Sequence, residues 1–262
     1  MTILDTIAEK TRQRIEAEKR HLPIAELKAR VSDMTSDDEE FRFEKALAKD
    51  GMSFICEVKK ASPSKGVIAE HFPYVEIAKE YEKAGADAMS VLTEPFYFLG
   101  SDGYLREIRK AVKTPILRKD FTVDEYMIYQ AKEMGADAVL LICAILTQEQ
   151  LSEYHGIASE LGLSALVEAH DEREVVMALK AGAKIIGVNN RNLKDFTVDV
   201  NNSVGLRDMV SKDVLFVSES GMKTRADIAR LESAGVNAVL IGETLMRSSD
   251  KKAMLDELAG RG

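Results

Sequence analysis

The sequence predicts an α/β chain closed into a (β/α)8 TIM-type barrel, and three observations carry that expectation. From Ser53 onward, short apolar runs alternate with longer segments of helical periodicity, in eight strand–helix pairs. A Gly-centred step recurs about every 50 residues, or two strand–helix units. It reads Ala84-Gly85-Ala86-Asp87, Met134-Gly135-Ala136-Asp137, Ala181-Gly182-Ala183-Lys184 and Ala234-Gly235-Val236-Asn237. Each Gly sits where a helix must end and a strand begin. No Gly-x-Gly-x-x-Gly follows the first run, which weighs against an open dinucleotide-binding sheet.

Taken in order, residues 1–48 stand apart. Ile3, Leu4, Ile7 and Ile15 fall at helical spacing among Glu, Lys and Arg. Leu22-Pro23 breaks this helix, and Ile24, Leu27 and Val31 suggest a second. Asp33 to Glu40 is polar and acidic and reads as a linker. The polar face of the first helix mixes charge signs and lacks bulky aromatics, so it packs on the domain rather than on a membrane. The expected strands are Phe54–Lys59, Ala88–Leu92, Pro115–Lys119, Ala138–Ile142, Ser164–Glu168, Lys184–Asn189, Val214–Ser218 and Ala238–Ile241. They are nearly continuous apolar runs, as a parallel sheet covered on both faces requires. The expected helices are Val75–Lys83, Tyr104–Val112, Asp124–Met134, Gln148–Leu161, Glu172–Ala181, Ser203–Val210 and Arg225–Ser233, with Lys251–Leu258 closing the chain.

Composition narrows the function classes. The chain has 262 residues, 31% charged and 45% hydrophobic, an ordinary soluble globular balance. No apolar run reaches the ~20 residues that span a bilayer, and the charged N-terminal stretch is no signal peptide. Cys56 and Cys143 sit in apolar runs and read as buried inert thiols, not as a disulfide framework or a zinc site. A cytoplasmic location is the default expectation. The net charge of −8 argues against nucleic-acid binding. An anionic substrate would need a local cluster of positive charge against that global sign.

In such a barrel the chemistry lies at the C-terminal strand ends. Those ends carry Glu57 and Lys59, then Lys119, Glu168, Asn189 and Glu219. Lys and Glu facing one semi-dry mouth shift each other's pKa values, as general acid–base work needs. Ser220-Gly221, Gly242 and the short segment Glu243–Arg247 read as an anion site of backbone N–H groups for a phosphate. Glu243 must then turn its carboxylate away. Lys119 beside Asp120 could instead be a simple strand-end pair, and His170, tempting as a base but read as lying beyond Glu168 on the opposite alternation, is expected to cap a helix or lie at the surface.

Five motifs stand in order on the strand ends: Glu57-x-Lys59-x-x-Ser62-Pro63-Ser64, Leu117-Arg118-Lys119-Asp120-Phe121, Leu166-Val167-Glu168-Ala169-His170, Gly187-Val188-Asn189-Asn190-Arg191-Asn192-Leu193 and Ser218-Glu219-Ser220-Gly221. Together they resemble the indole-3-glycerol-phosphate synthase family, over nearly the whole chain. The resemblance implies one barrel domain over 1–262, with 1–48 lying over the catalytic mouth. It implies a lyase of tryptophan biosynthesis that closes, decarboxylates and dehydrates 1-(2-carboxyphenylamino)-1-deoxyribulose 5-phosphate, with no metal or redox cofactor. By resemblance, Lys119 is the acid at ring closure, and Glu168 serves the dehydration as acid or base. Lys59 bridges Glu57 and substrate and is a second candidate acid. Asn189, Arg191, Glu219 and Ser220 orient the substrate. Ser62, Gly221, Gly242 and the Glu243 backbone hold the phosphate, and Phe98, Phe121 and Leu140 pack on the aromatic ring. The expected partner is a small anionic sugar phosphate, with no nucleic acid and no membrane, on a monomer or weak homodimer. Two rivals remain: a phosphate-binding isomerase or a Schiff-base aldolase on the same barrel, and a non-catalytic metabolite-binding barrel.

Overall fold

The computed structural model describes residues 2–34, 40–192 and 196–261. Leu193 and most of the Asp33–Glu40 stretch lie outside them.

Eight parallel strands close into a barrel in sequential order. They are β1 (Ser53–Val58), β2 (Ala88–Leu92), β3 (Ile116–Lys119), β4 (Ala138–Ile142), β5 (Ser164–Ala169), β6 (Ile185–Asn189), β7 (Leu215–Glu219) and β8 (Ala238–Ile241), with β8 paired back to β1. The expected strands are thus present, with ends shifted by at most one residue. Lys59 lies just past β1, and Glu219 is the last residue of β7. The loop after β1 holds a small antiparallel hairpin (Ala61–Ser62 with Gly66–Val67) that periodicity could not show, because each arm is two residues long.

Strand alternation sorts the side chains. Phe54, Cys56 and Val58 of β1, Val139 and Leu141 of β4, and Ile186 and Val188 of β6 pack outward in the layer shared with the helices. Ile55, Leu117, Leu166, Ile185, Val217 and Leu240 fill the barrel interior. Two residues beyond three of these apolar residues stand Glu57, Lys119 and Glu168, and Glu219 follows Val217 in the same way. The parity that buries the apolar residue therefore carries the charged one into the mouth.

The surrounding helices in the order of the chain are α1 (Ile3–His21), α2 (Ile24–Ser32), α3 (Arg42–Leu47), α4 (Tyr74–Ala84), α5 (Asp102–Ala111), α6 (Glu125–Glu133), α7 (Gln148–Glu160), α8 (Glu172–Lys180), α9 (Asn201–Arg207), α10 (Arg225–Ser233), α11 (Glu243–Arg247) and α12 (Lys251–Ala259). Side-chain caps at Ser101, Asp124, Thr147, Asp171 and Thr224 satisfy first-turn N–H groups. The repeat glycines Gly85, Gly135, Gly182 and Gly235 have φ of 89°, 82°, 81° and 78°, the left-handed turn that only Gly adopts without strain. The predicted helix Ser203–Val210 runs instead over Asn201–Arg207.

The N-terminal segment divides between the two barrel ends. Ile3, Leu4 and Ile7 of α1 reach the cavity at the C-terminal strand ends. Phe43 and Leu47 of α3 are fully buried in the interior cluster. Glu44 donates its N–H to the Ser164 hydroxyl at the start of β5 (3.1 Å), so α3 plugs the N-terminal end. The sequence reading had no third helix, since one turn and a half lies below any periodicity window. α1 is also tied by charge: Arg14 Nη2 lies 2.9 Å from Asp120 Oδ2, and Lys19 Nζ lies 2.6 Å from Asp124 Oδ2.

Candidate active site

At the C-terminal strand ends lies a cavity of about 750 Å³. The residues to which the family resemblance gives a catalytic or binding role all line it: Glu57, Lys59, Ser62, Phe98, Lys119, Phe121, Leu140, Glu168, Asn189, Arg191, Glu219, Ser220, Gly221, Gly242 and Glu243.

Its floor is a charged cluster. Lys119 Nζ lies 3.2 Å from Glu219 Oε2 and 3.4 Å from Glu168 Oε2. Asn189 Nδ2 donates to Glu168 Oε1 at 3.4 Å. Lys59 and Glu57 form a direct ion pair, and Ser90 donates its hydroxyl to Glu57 Oε1 at 3.4 Å. Burial pulls the Lys119 ammonium toward neutrality, but Glu219, Glu168 and Glu57 outweigh it and hold its pKa far above the ordinary value. Burial pushes the carboxylates up. Lys59 and Lys119 more than offset this for Glu57, and Lys119 and His170 do so for Glu168, so both stay below the usual range. Glu219 goes the other way: burial and the charges of Glu168 and Glu57 prevail over Lys119 and push it up to about 7. Among the described residues its buried Oε1 has no hydrogen-bond partner. The mouth therefore holds a fixed cation in Lys119, two fixed anions in Glu57 and Glu168, and a carboxyl, Glu219, pushed up to about 7.

Lys119 does not pair with Asp120. Asp120 points away, to Arg14 and to Arg118 (3.6 Å), and takes hydrogen bonds from the Thr93 hydroxyl (2.7 Å) and the Phe121 N–H (2.8 Å). Arg118, on the opposite parity, is buried outside the barrel against Asp102 and the Met127 carbonyl.

One flank of the cavity is apolar. Phe98 and Phe121 stand with ring centroids 6.2 Å apart, beside Leu140 and the α1 residues Ile3, Leu4 and Ile7. The opposite flank is built from backbone. Ser220 is a non-Gly residue at φ 70°, followed by Gly221 at φ 100°, a strained turn of the kind found at binding sites. A Cβ on Gly242 would run into Glu57 and Lys59, so this backbone lies directly on the ion pair. The Glu243 carboxylate faces Arg247 Nε (3.1 Å) and Lys65 Nζ (3.8 Å). Arg191 stands at the rim, with its N–H on Asn189 Oδ1 (3.1 Å) and its guanidinium on the Phe196 carbonyl (3.4 Å).

Three supports escaped the sequence reading. Glu94 is fully buried, and its carboxylate accepts the N–H groups of Phe96, Tyr97 and Phe98 at 2.9, 2.7 and 2.9 Å, which shapes the loop that presents Phe98. Buried Asn190 ties β6 to β7, donating to Ser218 Oγ (2.9 Å) and the Ser220 carbonyl (3.0 Å) while accepting from Ser203. His170 is not a surface residue: its ring is mostly buried between Glu174 and Glu168. Its spacing of two from Glu168 was the signal, since i and i+2 share a strand face.

A family model described as indole-3-glycerol phosphate synthase matches residues 4–258. Curated relatives of that name include the proteins of Ruminiclostridium cellulolyticum, 56% identical over 98% of this chain and 99% of the relative, and Endomicrobium trichonymphae, 55% identical over 98% and 99%. That of Lachnoclostridium phytofermentans is 52% identical over 98% of both. Among solved structures, 3-hexulose-6-phosphate synthase superposes with TM-score 0.64 at 17% identity, over 80% of this chain and 99% of that one. Thiamine phosphate pyrophosphorylase from Pyrococcus furiosus gives 0.61 at 16%, over 82% and 95%. At such identities the structures speak for the fold alone.

Proposed function

The chain belongs to the indole-3-glycerol phosphate synthase family, a family of decarboxylating lyases of tryptophan biosynthesis, and we propose that the cavity above divides that reaction among its residues as follows. The substrate, 1-(2-carboxyphenylamino)-1-deoxyribulose 5-phosphate, lays its aromatic ring against Phe98, Phe121 and Leu140 beneath α1. Its phosphate sits at Ser62, Gly221, Gly242 and the Glu243 N–H. Arg191, Asn189, Glu219 and Ser220 orient the chain between.

The ring carbon bearing the carboxylate attacks the ketone carbon, and the Lys119 ammonium donates its proton to the ketone oxygen. A lysine held so firmly in its charged form gives up the proton only as the oxygen becomes alkoxide-like, which places its help in the transition state. Carbon dioxide then leaves and its bonding electrons restore the aromatic ring. In the last step the hydroxyl departs as water with a proton from Lys59, while Glu168 takes a proton from the adjacent carbon. The lowered pKa of Glu168 supports a role as base, and the acid is then Lys59. Glu219, titrating near neutrality and 3.2 Å from Lys119, can return the proton that Lys119 has spent.

The single observation that carries this reading is the Lys119 ammonium lodged between Glu168 and Glu219 at the floor of a cavity with one aromatic flank and one backbone flank. Incubation with the substrate should yield the indole product by its fluorescence, and borohydride should trap no covalent adduct. A trapped lysine adduct would favour Schiff-base chemistry instead. Among the described residues no helix is long and apolar enough to cross a membrane. We place the enzyme in the cytoplasm as a monomer or weak homodimer acting on a small anionic sugar phosphate, with neither nucleic acid nor membrane as partner.

A further inference from the structure

We propose that His170 is a positioning residue for Glu168: an imidazolium clamped between Glu174 and Glu168 that keeps the Glu168 carboxylate anionic through the catalytic cycle. It rests on Glu168 being the base of the dehydration.

The geometry is specific. The Glu174 carboxylate takes the His170 backbone N–H at 2.8 Å and faces ring Nδ1 at 3.0 Å. Glu174 is itself fixed in the first turn of α8, its N–H on Asp171 Oδ1 at 2.9 Å. Asn202 holds the His170 carbonyl at 3.1 Å. With Nδ1–H directed at Glu174, the buried Nε2 points to Glu168 Oε1, 3.4 Å away, and has no hydrogen-bond partner among the described residues. A neutral ring in this tautomer would set a lone pair against a carboxylate. A protonated ring places an N–H there, and with acid groups on both sides the charged form is favoured over burial, so the imidazole pKa is raised. Among the described residues, the other ionisable groups facing this spot are Lys119 from β3, Glu219 from β7 and the Cys143 thiol, which is held protonated by burial.

Glu168 thus has Lys119 against Oε2 and His170 against Oε1. When Lys119 gives its proton to the ketone, the first of these charges vanishes. Until Glu219 returns that proton, the imidazolium is the cation that stays beside the buried carboxylate and keeps it from taking up a proton before its turn as a base. His170 does not line the cavity, so it does this without touching the substrate.

The test is the pH profile of kcat for the parent enzyme, His170→Gln and His170→Asn, with Glu168→Gln as control and 15N-histidine NMR as a readout independent of activity. Loss of an opposite charge at such range moves a carboxylate pKa by about one unit or more. The acidic limb of kcat should therefore shift to higher pH by about that amount in both variants. KM should hold, and parent and variants should converge at alkaline pH, where His170 is neutral. One of the four histidines, the signal lost in His170→Gln, should titrate above the ordinary 6.5. Glu174→Gln should lower that titration. A pH-independent fall in kcat with a fall in Tm would make His170 structural and overturn the proposal, as would an unmoved limb. If Glu168→Gln itself retains activity, the failure lies instead in the reading of Glu168.

Discussion

Replacing Lys119 by Met tests whether its ammonium is the acid or merely a counter-ion. Nζ is 3.2 Å from Glu219 and 3.4 Å from Glu168, whose side chains are 2% and 4% exposed. Removing one partner of a buried pair costs ~3–5 kcal/mol when the other must stay charged. Here it need not: Glu219, already at about 7, takes a proton and rises further, so the site discharges itself. Met has similar length and suits the apolar neighbours below it. We expect an unchanged or higher Tm, since a site of crowded charges is held against stability. Loss of a positioned acid lowers kcat by about 10²–10⁴, or ~3–5 kcal/mol of transition-state stabilisation. Lys119→Arg restores the charge without an exchangeable acid of suitable strength and should recover the charge balance but little of the rate. Product fluorescence under saturating substrate measures kcat, and differential scanning calorimetry measures Tm. A Lys119→Met enzyme within tenfold of the parent, or an Arg variant with most of the parental rate, would refute the acid assignment.

Other outcomes follow from single contacts. Glu94→Gln puts an NH2 group among three N–H donors, so the Phe98 loop should loosen and KM rise more than kcat falls, by steady-state kinetics. Gly187→Ala sets a methyl against Glu219 Oε1 and Leu166, and should cut kcat at least tenfold in a protein that still folds by circular dichroism. Inorganic phosphate should inhibit competitively, and a crystal soaked in it should show the anion at Gly221 and Gly242. Burial would raise the Asp120 pKa, but Arg14 and Arg118 hold it low. This carboxylate stabilises the fold above its unfolded pKa and loses that contribution as pH falls through its lowered folded value. Arg14→Ala should move acid unfolding to higher pH, and the looser α1 should raise KM.

Much of the site was legible because barrel parity is strict. Once Ile55, Leu117, Leu166 and Val217 are inward, Glu57, Lys119, Glu168 and Glu219 must be inward too, at the strand ends. The same rule applied to His170 would have placed it beside Glu168. What stayed hidden depends on chain closure rather than period. The Arg14–Asp120 link joins residues far apart in sequence, and the Glu94 clamp is a loop whose shape is set by one carboxylate. α3 is too short for its periodicity to register, so a cover over the mouth and a plug at the bottom stood as alternatives, whereas α1 reaches the mouth and the last helix of the segment closes the opposite end.

The most direct measurement is the structure of the Lys119→Met enzyme with unreacted substrate bound, the slowed variant holding it long enough to be seen. The account predicts the phosphate on the Gly221, Gly242 and Glu243 backbone, the aromatic ring against Phe98 and Phe121, and the ketone oxygen where Lys119 Nζ stood. A reversed pose, or a ketone oxygen directed at Lys59 with the residue 119 side chain distant, would contradict it.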